Sequence, residues 1–207
     1  MGRALFLLGL LFSTSWCFSQ KVVEKTLLNP QTKYIAIDTE NCYKVELVTA
    51  DTQALRIEAA IEGEYQNDLA VKLEEDGPNI KVSASFLPNF VAPNDKLSAH
   101  KVISIALRIS VPLHSNVSVY GTTSDLSASG TFNTLNVLLS DGNCRLTEVR
   151  GAVVVKTAQG HISVSAESGD FDTHSDYGTT SLDSIPQGPS TFRLNSIQGN
   201  ISVTRTE

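Results

Sequence analysis

The chain has 207 residues, of which 41% are hydrophobic and 18% charged, with a formal net charge of −6 and three cysteines. That length suits one domain with a sizeable core. Lysines and arginines are scattered singly, so the basic stripe that a nucleic-acid partner requires is missing and that class is excluded.

Residues 1–19 have the parts of a secretory signal: Arg3, an apolar run from Ala4 to Phe12, then the polar stretch Ser13 to Ser15. The run is too short to span a bilayer. Cys17 and Ser19 suit a signal peptidase, leaving Gln20 as the new N-terminus, whereas Trp16 directly before Cys17 argues against lipidation. No second apolar segment long enough to span a membrane follows. The expectation is an exported protein that is periplasmic, outer-membrane-associated or at the cell surface. Loss of Arg3 then moves the formal charge to −7 and leaves Cys42 and Cys144. In a compartment that permits disulfides these two allow one pairing, Cys42 with Cys144, while a small buried thiol also accounts for Cys144.

Residues 20–33 read as an exposed leader ending in Asn29-Pro30. A β-rich N-terminal part over 34–112 follows. Residues 34–37, 43–48, 55–61, 69–73 and 80–86 alternate apolar and polar side chains between turn formers, with Asp76-Gly77-Pro78-Asn79 as one turn. No stretch has the apolar stripe of a helix longer than two turns. Residues 86–100, with Pro88, Pro93 and Asn94, form a long loop that is either a flap over an open core end or an aromatic contact surface built on Phe86 and Phe90. Ile103, Ile105, Leu107, Ile109 and Val111 then form an alternating strand stopped by Pro112.

Residues 113–207 repeat every 18 positions. Val117, Leu135, Val153, Phe171 and Phe192 form one column, and Val119, Val137, Val155, Thr173 and Leu194 the next. Half a period away are Leu126, Cys144, Ile162, Thr180, Ile201 and Ala128, Leu146, Val164, Leu182, Val203. Eighteen of these twenty positions are apolar, where composition alone would supply about eight. Gly142, Gly160, Gly178 and Gly199 occupy one corner column headed by Ser124, and Gly151 and Gly169 lie half a period off, as expected where the backbone takes positive φ. Residues 185–190 absorb a three-residue insertion in the last interval. Nine-residue strand spacing also suits an antiparallel sandwich, but hairpins need no 18-residue identity. The predicted fold is all-β: a single-stranded parallel β-solenoid with about 18 residues and two strands per coil, preceded by the irregular N-terminal part.

Residues 45–59, the segment from Glu74 to Val82, residues 105–112 and the corners Ser140-Asp141-Gly142-Asn143, Ala158-Gln159-Gly160-His161, Ser168-Gly169-Asp170-Phe171 and Ile197-Gln198-Gly199-Asn200 resemble the bacterial putative-adhesin domain family of unknown function. The resemblance covers about residue 34 to the end. It implies a β-solenoid exported to the envelope, and offers no catalytic residues to carry over.

No catalytic, metal or cofactor site is predicted. The four histidines, His100, His114, His161 and His174, include no pair at ligand spacing. The polar corner column Asp125, Asn143, His161, Thr179 and Asn200 reads as turn chemistry, because a calcium site needs several converging carboxylates. Glu62, Glu64, Glu74, Glu75 and Asp76 could do acid–base work on sugars, but read as the solvated face of a strand or hairpin. The candidate contact surface is the outward side of each coil's second strand: Ser127, Ser129, Arg145, Thr147, Ser163, Ser165, Ser181, Asp183, Ser202 and Thr204. The expected role is a non-enzymatic adhesin or interaction scaffold for a glycan or protein. The alternatives are a periplasmic accessory subunit and a polysaccharide-acting enzyme. Self-association through the C-terminal strand at Arg205 to Glu207 is a further expectation.

Overall fold

The computed structural model describes residues 21–28, 32–63, 66–90 and 103–206. The expected signal segment, the join at Asn29-Pro30, His100 and most of the 86–100 loop lie outside these. The described residues are all-β, without a helix, and form one large mixed sheet of fifteen strands. In chain order these are β1 (Lys21–Leu28), β2 (Tyr34–Asp38), β3 (Lys44–Ala50), β4 (Ala54–Gly63), β5 (Leu69–Asp76), β6 (Asn79–Phe86), β7 (Ile103–Pro112) and β8 (Asn116–Gly121). Then follow β9 (Asp125–Leu139), β10 (Cys144–Thr157), β11 (Ile162–Ala166), β12 (Asp170–Ser175), β13 (Thr180–Leu182), β14 (Thr191–Ser196) and β15 (Ile201–Arg205).

The repeat columns are real pairing registers. β9 and β10 pair in parallel with Leu126 opposite Cys144 and Leu135 opposite Val153, and β10 and β11 with Cys144 opposite Ile162. Side chains 18 residues apart therefore stack at the strand spacing of about 4.8 Å. In the repeat region each layer has two strands, one in each wall of a single apolar core. β9 and β10 bend from one wall into the other. The bends fall at Gly130 (φ 106°) in β9, and in β10 at Glu148 (φ 52°) and Gly151 (φ 126°), where the β9–β10 register shifts.

A wholly parallel, single-stranded solenoid is not what forms. β1 runs antiparallel to β4, β4 to β7 and β5 to β6, which makes the sheet mixed. The expected leader contributes β1, whose Lys21 Nζ donates to the carbonyl oxygens of Gln66 (3.1 Å) and Leu69 (3.0 Å).

Layer order departs from sequence order at both ends of the stack. β14 lies between β10 and β12, and β15 lies between β11 and β13. The columns therefore run Val153, Phe192, Phe171 and Val164, Val203, Leu182. Residues 170–182 form the outermost layer, laid two spacings from β10 and β11, and 191–205 fill the slot between. The insertion at 185–190 lets the chain step backwards. Likewise β2 lies between β6 and β8, and β3 between β7 and β9, so the columns extend through Ile80, Ile35, Val117 and through Leu107, Val45, Leu126. The expected C-terminal edge strand is thus an interior strand. Self-association through it is ruled out because both of its edges are already hydrogen-bonded.

The corner glycines have a different cause from the expected one. Gly142, Gly160, Gly178 and Gly199 are not among the residues of positive φ. A Cβ on Gly142 would lie 1.9 Å from the Ser124 carbonyl oxygen, on Gly160 1.9 Å from that of Gly142, on Gly199 2.0 Å from that of Gly160, and on Gly178 2.2 Å from that of Gly199. Backbone stacks directly on backbone there, and only a missing side chain permits it.

Cys42 and Cys144 are free and buried. No bridge joins them here: Cys42 precedes β3, and Cys144 on β10 stacks through Leu126 onto Val45 of that strand. Val45 and Cys144 are thus two strand spacings, about 9.6 Å, apart. Burial pushes both thiols from the usual 9.0 up to about 12, with Asp38 adding to the effect at Cys42. An exposed thiol in the unfolded chain ionises near 8.5. The folded form therefore holds extra protons between roughly pH 9 and 12, and stability falls as pH rises through that window. A disulfide-exchange reagent at pH 8 should leave both thiols unreacted in native protein and titrate both after denaturation. Rapid reaction of either in native protein would contradict this burial.

Candidate functional surfaces

Parallel stacking turns the predicted hydroxyl positions into one face. Ser127, Arg145, Ser163, Ser202 and Ser181 follow one another in register, as do Ser129, Thr147, Ser165 and Thr204, with Asp183 next beyond. Their spacing is fixed by the hydrogen-bond ladder at about 4.8 Å. The order differs from sequence order, since Ser202 intervenes between Ser163 and Ser181. Ser165 and Thr204 hydroxyls hydrogen-bond each other at 3.1 Å, and the Arg205 backbone N–H donates to Asp183 Oδ2 at 3.2 Å. Below Ser127 the column continues through Glu46 and Arg108, an ion pair of 3.6 Å.

Beside this face the polar corner column forms a ladder of its own. Asp125 Oδ1 accepts from the Asn143 backbone N–H at 2.9 Å, Asn143 Oδ1 from that of His161 at 3.0 Å, His161 Nδ1 from that of Asn200 at 2.9 Å, and Asn200 Oδ1 from that of Thr179 at 2.9 Å. Each side chain caps the backbone of the next layer. Because a backbone N–H can only donate, His161 Nδ1 is the acceptor and its ring proton sits on Nε2. This is the turn role expected of the column. Among the described residues no group of three or more His, Cys, Asp or Glu side chains could hold a metal ion.

The opposite wall carries a groove of about 940 Å³ that sequence reading missed. Its floor follows one outward column, Asp38, Tyr120, Leu138, Lys156, Asn195 and His174, across six successive strands. At the strand spacing that is about 24 Å. Tyr120 and Leu138 are about half exposed, and Ile197 on a projecting corner forms part of the wall. Lys81 pairs with Asp38 at 3.3 Å at one end, and His174 Nε2 lies 2.9 Å from Asp176 Oδ1 at the other. The signal was available in the repeat: Tyr120 and Leu138 are apolar at positions one past the inward column of Val119 and Val137.

No protein-family model and no curated protein sequence matches the chain. Among solved structures, a "putative cell adhesion protein" from Clostridium sporogenes ATCC 15579 is similar, with 13% identity, 91% of this chain and 100% of that chain covered, and a TM-score of 0.65. The two share a fold. A "putative adhesin" from Bacteroides fragilis NCTC 9343 aligns over 91% of this chain and 99% of its own at 13% identity and a TM-score of 0.32. One from Parabacteroides distasonis ATCC 8503 aligns over 89% and 98% at 10% identity and a TM-score of 0.40.

The remaining predicted positions fall elsewhere. Phe86 and Phe90 stack on each other, with centroids 4.1 Å apart and rings 11° from parallel, and Phe86 packs against the core. Glu74 is exposed on β5, where it pairs with Lys72, and that hydrogen bond and charge hold its carboxyl below the usual range. No helix among the described residues is long and apolar enough to cross a membrane.

Proposed function

We propose that the chain is an exported, non-enzymatic adhesin or interaction scaffold that contacts a glycan or protein at the cell surface or envelope. In this reading the parallel layers act as a solenoid-like rod of 18-residue coils, and the rod presents its ligand-binding groups at a fixed repeat. The observation that carries the proposal is the register-aligned face of Ser127, Ser163, Ser202, Ser165 and Thr204. Small hydroxyls held by strand pairing match a repetitive ligand without ordering any long side chain, which keeps the entropic cost of contact low. The cell-adhesion description of the Clostridium sporogenes protein supports the same reading at the level of fold.

The test is a glycan and matrix-protein binding screen on purified residues 20–207, comparing the parent with the double variant Ser163→Arg, Ser202→Arg and with Tyr120→Ala. The double variant should keep its circular dichroism spectrum and lose binding at least tenfold. Loss confined to Tyr120→Ala would move the contact to the groove, whereas unchanged binding in both variants would sink the proposal.

A further inference from the structure

The stack is unfinished at one end. β12 pairs only with β14, and β13 only with β15, so among the described residues the outer edges of both strands carry no ladder partner. The core is open there too. Leu182 is 51% exposed, whereas Val203, its neighbour in the same inward column, is 1% exposed. Phe171 is half-buried and stacks on Phe192, with centroids 4.5 Å apart and rings 8° from parallel. Of the four inward positions of this layer, Phe171 and Leu182 are apolar and only partly covered, while Thr173 and Thr180 are polar.

Charge says what that layer is. Asp170 and Asp172 stand outward and exposed on β12, Asp176 follows it, and Asp183 lies just past β13. Arg193, opposite Asp172 in register, belongs to the layer below. A second copy pairing β12 to β12 would set these acids against their own counterparts, which is destabilising across a strand pair. Head-to-tail stacking would set them against the other end of the same wall, where β5 carries Glu74, Glu75 and Asp76 and a single base, Lys72, already ion-paired with Glu74. The acids thus guard the edge against self-pairing while leaving it open to a strand of opposite charge.

We propose that the β12 edge is a docking site for an extended segment of another protein, added as one more strand, in which basic residues alternate with apolar ones. Basic side chains lie beside Asp170 and Asp172, and apolar ones continue the inward column over Phe171. Backbone pairing supplies affinity and the alternation supplies selectivity. This site is independent of the ligand face in the preceding proposal.

The experiment titrates the 20–207 protein with two synthetic peptides, (Lys-Val)4 and (Glu-Val)4, and repeats both with Asp170→Lys, Asp172→Lys. The parent should bind the basic peptide at least tenfold more tightly, and the charge-reversed variant should invert that preference. The variant's melting temperature confirms that it folds, and Ser163→Arg, Ser202→Arg should bind the basic peptide as the parent does. Equal affinity for the two peptides, a preference unchanged by the charge reversal, or concentration-dependent dimerisation of the parent abolished by that reversal would each overturn the proposal.

Discussion

A chain truncated after Ser190 will not keep a native-like fold, even though the deletion takes only the last repeat. Residues 191–205 are an interior layer, hydrogen-bonded on one side to β10 and β11 and on the other to β12 and β13. Deletion removes Phe192, Leu194, Ile201 and Val203, each at most 1% exposed. At about 1.5–3 kcal/mol per buried side chain the loss is about 6–12 kcal/mol, comparable with the whole stability of a domain. It also strands β12 and β13 two spacings from their next neighbours. Leu182→Ser, in the layer that follows 18 residues after Val164 but lies outermost, should by contrast cost about 1 kcal/mol or less, since half of that side chain is already in water. Urea unfolding of the two forms checks this. A simple linear stack predicts the reverse ranking, and a truncated chain that unfolds cooperatively near the parent midpoint would refute the interleaved order.

Gly160→Ala will be a severely damaging single methyl group in the parallel half. The added Cβ meets the Gly142 carbonyl oxygen at 1.9 Å and its carbon at 2.7 Å, both backbone atoms that cannot rotate away. Gly160 is also an acceptor. Its carbonyl receives the Thr157 hydroxyl at 2.7 Å and the Ser196 hydroxyl at 3.3 Å, and Ser196 in turn accepts the Gly199 N–H at 2.8 Å. Forcing this corner apart therefore opens three layers and leaves buried hydroxyls short of partners, at a cost of about 3 kcal/mol or more. Gly77→Ala is the control, because a Cβ there meets nothing within 4 Å and only the positive φ of 56° opposes it. Comparable melting temperatures for the two variants would show that the corner can relax.

Register was legible in the sequence because a stacked layer places like side chains at one period. The columns through Val117 and Leu126 needed only counting. Order was not legible, because an inward column tolerates any permutation of its members: Phe171 and Phe192 are interchangeable as core residues, and the register between them is the same whichever lies outermost. The first layer was hidden for another reason. Ile35 stacks on Val117 and Val45 on Leu126 at separations of more than eighty residues, with β4, β5, β6 and β7 in the chain between them. Periodicity over a short window carries no trace of such a pairing. The hydroxyl face was readable, since outward hydroxyls alternate with the columns, whereas of the groove only Tyr120 and Leu138 were legible, because Asp38, Asn195 and His174 join their column only through the interleaved order. The edge acids were visible as isolated aspartates and acquired meaning only once β12 and β13 proved to be the outermost layer.

Interleaving also dictates when the molecule can be completed. A chain whose layers stack in sequence order can zip up as it emerges, each coil settling on the one before. Here the layer at 170–182 has no neighbour to settle on until 191–205 arrives beneath it, and 34–50 waits for 79–86 and 103–112 on one side and 116–130 on the other. The decisive pairings span 39 and more than 80 residues, so loop closure precedes reward and folding is slow for a chain of this size. Apolar strands remain uncovered during that interval, which makes the newly made chain dependent on dilution or on a holding partner until its final layer slides home.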